Sequence, residues 1–235
     1  MLRMRTGRSK AGVYLRNTEG SAAVRLGDGA PLALSPDGQS VLAIEAGSAE
    51  RLILLRTGPG ERRVLNGDGL AYTRATWIPG AARILVGGHK PGSPPALYVQ
   101  DIAGGAPRPV VTGVDRGIVS PDGSTIATID PHGVVTLTPI RGGSSRAVHG
   151  LPPSSDLLRW AKSGRELFAR VGIVPIQILR LDIETGRAHP WRALGPVDLS
   201  GVVGILDIAL DPDGQSYRYS SLRNLSTLFV VTGLK

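Results

Sequence analysis

Histidine and carboxylate side chains that recur in one phase of the chain are the residues best suited to chemistry. The four histidines are His89, His132, His149 and His189. His89 lies eight residues past position 81 and His132 nine past Gly123, so both follow a turn at a similar distance. Asp115, Arg116, Asp130, Asp156 and Arg159 fall in neighbouring connections. Imidazole and carboxylate together can hold a divalent ion, whereas Arg with His can hold an anion. Solvated loop residues would read the same way, so the set is a candidate ligand or partner rim. It carries no assigned catalytic residue, metal or cofactor. A further cluster, His189-Pro190-Trp191-Arg192, offers Trp191 as a partner anchor, because Trp and Arg concentrate at binding hot spots. Local packing of a long connection is the competing reading of Trp191.

Other chemistry finds no footing. With no Cys, thiol catalysis, disulfides and Cys-based metal sites are excluded. The chain has no Walker-type phosphate loop, dinucleotide fingerprint, Gly-x-Ser-x-Gly or kinase catalytic motif. The net charge of +8 invites a nucleic-acid reading, but Lys occurs only at 10, 90, 162 and 235. The cations are therefore mostly Arg, scattered singly, and the reading is an Arg-rich solvated surface with no nucleic-acid partner. No apolar run could span a membrane, and the basic stretch 1–10 lacks the apolar core of a signal peptide. As it stands the chain reads as cytoplasmic; inside a longer membrane-anchored protein it would be periplasmic or extracytoplasmic.

The elements that must position these residues come from a repeat. Leu34-Ser-Pro-Asp-Gly38, Val119-Ser-Pro-Asp-Gly123 and Leu210-Asp-Pro-Asp-Gly214 each precede an apolar or aromatic strand pattern. Degenerate copies stand at Trp77-Ile-Pro-Gly-Ala81 and Trp160-Ala-Lys-Ser-Gly164. Successive copies are 43, 42, 41 and 50 residues apart. In antiphase run pairs of short apolar segments around Gly turns, such as Leu52-Ile-Leu54, Gly60 and Val64. Each repeat thus holds four short strands, and nothing shows a helical period. With 32 Gly and 18 Pro, the composition supplies the turns such strands require.

Four antiparallel strands every 40 to 50 residues predict an all-β propeller of four-stranded blades, about five to six in number and incomplete at an end. The expected division of a single 1–235 domain is a partial first blade over 1–29, repeats over 30–69, 70–115, 116–156 and 157–202, and a last blade over 203–235. Two strands are expected within 12–26, and three at 205–210, 217–220 and 227–231. That leaves the first blade without its two inner strands, as in the C-terminal part of a longer propeller or an open arc. Propeller geometry places the loops after second strands on the rim of the strand-four to strand-one connections. There His89, Asp115, Arg116, Asp130, His132, Asp156 and Arg159 would meet. Trp77 and Trp160 read as blade-to-blade core, and Asp37, Asp122 and Asp213 as turn carboxylates.

The repeated Ser-Pro-Asp-Gly, with Trp at the preceding position in two copies, resembles the WD40-like (PD40-type) repeat of TolB-like bacterial propellers. The stretch Asp211 to Lys235 resembles the closing blade of the C-terminal propeller in bacterial eukaryotic-like Ser/Thr kinases. The resemblance implies a non-catalytic binding, sensor or scaffolding module with a protein or peptide partner, in a larger signalling or envelope protein. An upstream kinase or membrane segment is implied with it. The alternative is a propeller hydrolase or lyase acting through His89 and His132. A third reading is one arc of a larger propeller with no ligand of its own.

Overall fold

The computed structural model describes residues 2–4, 12–17, 19–45, 51–80 and 82–225. The fold is an all-β propeller, and every regular element among the described residues is a strand. By contact the chain divides into two compact units, Met1–Thr128 with Thr136–Arg146, and Ile129–Val135 with Ala147–Lys235.

The first unit begins with a three-stranded antiparallel sheet of β1 (Leu2–Met4), β2 (Gly12–Leu15) and β3 (Val24–Asp28). This corrects the expected two strands: Leu2–Met4 pairs in register with Gly12–Tyr14. Backbone pairing needs no apolar pattern, so the basic N-terminal stretch concealed it. Next come two four-stranded sheets, β4 (Ala30–Leu34) to β5 (Ser40–Ile44), β6 (Leu52–Arg56) and β7 (Arg63–Val64), then β8 (Ala71–Trp77), β9 (Arg83–His89), β10 (Ala96–Asp101) and β11 (Arg108–Thr112). A third, of β12 (Ile118–Val119), β13 (Thr125–Ile129), β14 (Val135–Pro139) and β15 (Arg146–Val148), has strands in both units.

Period-two alternation explains why the middle strands are apolar on both sides. Val41, Ala43, Ile53 and Leu55 pack with Val13 of the first sheet. The intervening Leu42, Leu52 and Leu54 pack with Tyr72, Ile84, Val86 and Tyr98 of the next. Their neighbours Leu85, Leu97 and Val99 turn the other way, onto Ile126 and Ile140. Each middle strand serves two interfaces, which replaces the usual polar-out alternation with a continuous apolar run. Trp77 is only partly buried beside this core, and its indole nitrogen is enclosed without a hydrogen-bond partner.

The second unit holds the sheet of β16 (Asp156–Trp160), β17 (Glu166–Val171), β18 (Ile176–Asp182) and β19 (Ala188–Leu194), followed by β20 (Val202–Leu210) paired with β21 (Tyr217–Arg223). Phe168, Ile176, Ile178 and Leu194 pack against Ile205 and Leu210. Trp160 is buried. The strand expected at 227–231 lies outside the described residues.

The repeated turns share one wiring. The residue opening each turn donates its N–H to a carbonyl five residues on, at Ser35, Ser120, Ala161 and Asp211. The glycine three residues after it, Gly38, Gly123, Gly164 or Gly214, has φ of 70–72° and donates back. Asp37 accepts from Ser35 Oγ and the Gln39 N–H, and Asp122 from Ser120 Oγ and the Ser124 N–H. These bonds, led by the serine hydroxyl, hold both carboxyls below the usual Asp range. In the third copy Asp213 keeps its place in the turn, but another carboxylate takes the backbone donors. Asp211, standing where the first two copies have Ser35 and Ser120, takes the N–H groups of Gln215 and Ser216, and Asp213 lies 3.8 Å from Lys162.

Candidate functional site

Two shallow concavities open beside inner strands, one in each unit, and each contains a residue of the expected rim. The first, of about 170 Å³, is lined by Leu32, Arg74, Thr76, Leu85, Gly87 and Asp115, among others. A bulge at Thr73 interrupts the β8–β9 register between Tyr72 and Arg74. Thr73 Oγ1 donates to Asp115 Oδ2 at 3.0 Å, tying the bulge to the segment entering β12. A Cβ at Gly87 would collide with the main-chain carbonyl of Asp115. Glycine there is what lets the Asp115 segment close against β9.

The second concavity, of about 180 Å³, is lined by Ser154, Asp156, Arg170, Gly172, Ile176 and Ile205, among others. Arg170 donates from Nε at 3.2 Å and Nη2 at 2.8 Å to one oxygen of Asp156. The ion pair is partly exposed, with apolar Ile176 and Ile205 alongside. A paired carboxylate and guanidinium lining a small hollow leave it without net charge, which suits a neutral or zwitterionic group better than an ion.

The other expected rim residues have separate duties. His89 is exposed and closes strand β9 opposite Ala71, rather than lying in the following loop. Arg116 is exposed next to Asp115. Asp130 caps its own turn by accepting the N–H groups of His132 and Val134, which leaves the His132 ring exposed at the turn's tip. Arg159 donates to the carbonyl of Leu210, lashing β16 to the end of β20. Burial pulls its pKa below the ordinary arginine value, against the opposing charges of Asp211 and Asp213. Among the described residues no three His, Asp or Glu side chains are grouped to hold a metal ion.

Trp191 sits in β19 as the extra residue of a bulge: Arg192 pairs with Ile178 and Pro190 with Leu179. The bulge turns the indole onto Phe168, 5.4 Å away edge to face, and Tyr217, 6.3 Å away. Arg192 covers both rings, at 5.1 Å from Trp191 and 5.0 Å from Tyr217.

Sequence reasoning missed Thr73, Gly87 and Arg170. Gly87 and Arg170 each stand ten residues after a repeat tryptophan, Trp77 and Trp160, so aligning the repeats on tryptophan exposes the exchange.

No family model matches the chain, and no curated protein matches it. Solved structures do. A TolB-type protein of Agrobacterium tumefaciens is similar with a TM-score of 0.61 and 18% identity, over 86% of this chain and 74% of that one. TolB from Acinetobacter baumannii is similar with a TM-score of 0.67 and 14% identity, over 90% of this chain and 60% of that one. An oligogalacturonate lyase in complex with manganese gives 0.61 and 15%, over 87% and 62%. The chain therefore spans between three-fifths and three-quarters of the length of these neighbours, and what is shared is the TolB-like propeller fold.

Proposed function

We propose that this TolB-like propeller chain is a binding module for a protein partner, working without turnover, as part of a larger bacterial signalling or envelope protein. One observation carries the reading. In the β20–β21 sheet, Ile205 and Leu210 face the core while Val203, Leu206 and Leu222 are 51%, 56% and 50% exposed. Leu222 lies opposite Gly204, and Leu206 stands two residues on, next to buried Ile205, so Leu206 and Leu222 share the face turned away from the core, with Val203 the extra residue of a bulge beside them. Exposed apolar side chains in a row mark surfaces that another molecule covers. Every middle strand of the four-stranded sheets in the first unit, by contrast, is buried along almost its whole length.

The carboxylates expected to do chemistry support the same reading, because Asp115, Asp130 and Asp156 are engaged in bonds that hold the fold.

A photo-cross-linking residue at Leu206, expressed in the source cells, tests the proposal. The expected result is a discrete adduct with one protein, absent when the probe sits at exposed Glu61. Turnover of a substrate by the purified chain, abolished by His132→Ala, would overturn the reading in favour of a hydrolase or lyase.

A further inference from the structure

The Trp191 cluster does more than pack a connection. Arg192 lies over Trp191 and Tyr217 at nearly equal distances, so two rings restrain its guanidinium. Phe168 supports Trp191 from beneath, and the 211–216 turn closes on both: a Cβ at Gly214 would stand 2.9 Å from Phe168 and 3.6 Å from Trp191. No ion pair engages Arg192 among the described residues, although Arg170, Arg180 and Arg223 in the same unit all have carboxylate partners. Arg192 itself is exposed.

Contact with two nearly perpendicular rings restrains the side chain, while its exposure leaves N–H donors available. A restrained guanidinium loses less rotamer entropy on binding, and its fork matches a carboxylate in two places. Arg192 covers ring faces that a sugar or a base would need for stacking. Beside it runs β19, the outermost strand of its sheet and seven residues long, against two, five and three in the outer strands β7, β11 and β15. Natural outer strands are kept short to prevent pairing with other chains, and a long one offers backbone groups to an extended peptide. Pro190 and the bulge at Trp191 restrict such pairing to short stretches on either side, so side chains must carry recognition.

We propose that Arg192, restrained between Trp191 and Tyr217, anchors a docking site for an acidic, extended segment of a partner protein, its guanidinium taking an Asp or Glu carboxylate. This rests on the protein-binding reading above and names the chemistry of one contact, at a place separate from Leu206.

The test is fluorescence anisotropy of a labelled hexaglutamate peptide titrated with the full chain. Hexaglutamate binds, and raising the salt weakens it. Arg192→Gln weakens binding about tenfold, and Arg192→Lys about fivefold, since an ammonium keeps the charge but lacks the planar fork. Arg218→Gln, next to Tyr217 on β21 and so on the opposite face of that strand, changes affinity by less than about twofold. Unchanged affinity in Arg192→Gln, equal binding of hexaglutamine, or no hexaglutamate binding at low salt would each overturn the proposal. Tighter binding of oligogalacturonate or a single-stranded oligonucleotide than of hexaglutamate would also overturn it, by assigning the site to another class of polymer. If Arg192→Gln does not fold, Arg192→Lys decides between the outcomes. A Leu206 adduct without hexaglutamate binding would sink this proposal and leave the protein-binding reading standing. Hexaglutamate binding without an adduct would support this contact and overturn the Leu206 patch as the partner's anchor.

Discussion

Asp115 and Asp156 occupy one position of the repeat, each five residues before the residue that opens the turn, yet they are held in different ways. Asp115 accepts from Thr73, which stands five residues before Ile78 and so at the same position one repeat earlier. Asp156 is clasped by Arg170 from the next strand of its own sheet. The difference traces to one exchange. Where the Asp156 sheet has Arg170 the Asp115 sheet has Ile129, and at the same position one repeat earlier Gly87, with no side chain, admits the Asp115 main chain close to β9. The repeat sets where a carboxylate stands, and a neighbouring side chain decides what it does there.

Substitutions at these positions break or sharpen that contrast. Gly87→Ala should have the largest effect, because its Cβ meets main chain that cannot rotate away. A loss of about 2 kcal/mol or more in urea unfolding is expected, and a neutral result would mean that the close approach does not hold. Arg170→Met should cost about 0.5–1 kcal/mol, the range for a partly exposed pair, and the cost should shrink in high salt. Thr73→Val removes one hydroxyl donor to a partly buried carboxylate, and about 0.5 kcal/mol is expected at pH 7. If Thr73→Val costs more than Arg170→Met, the two carboxylates are less different than their partners suggest.

The smallest effect belongs to the turns, and it is a change of pH profile. Asp37 and Asp122 have folded-state pKa values below their ordinary ones, so their charge-dependent contribution is present above the unfolded value and lost as pH falls through the folded one. Asp122→Asn keeps an acceptor oxygen and loses only the charge. Its melting temperature should lie slightly below the parent's at pH 6 and converge on it below about pH 4, where the unfolded-state carboxyl protonates. A constant offset across that range would show that the turn depends on shape alone.

The turns and middle strands were legible in the sequence because their causes are local. Ser-Pro-Asp-Gly carries its own hydrogen-bonding groups and a glycine at positive φ, and a run such as Val41 to Ile44 between turns is a strand buried on both faces. Asp213 shows the limit of reading by alignment: once Asp replaces Ser at 211, the nearer carboxylate takes the backbone donors. The strand Leu2–Met4 escaped notice because its only described role is to lend backbone groups to β2. Arg170 escaped because its partner Asp156 lies fourteen residues away across a ladder, a pairing that composition does not register.

By itself the sequence determined the four-strand period, the turn wiring and the two-faced strands, since all follow from residue types within a few positions of one another. Tertiary structure decided which carboxylate meets which donor, that the Trp191 bulge swings the indole onto Phe168 and Tyr217, and that Arg192 lies across both rings. Those contacts depend on how one strand's register meets the next. A shift of a single residue there turns a side chain from one face of the sheet to the other.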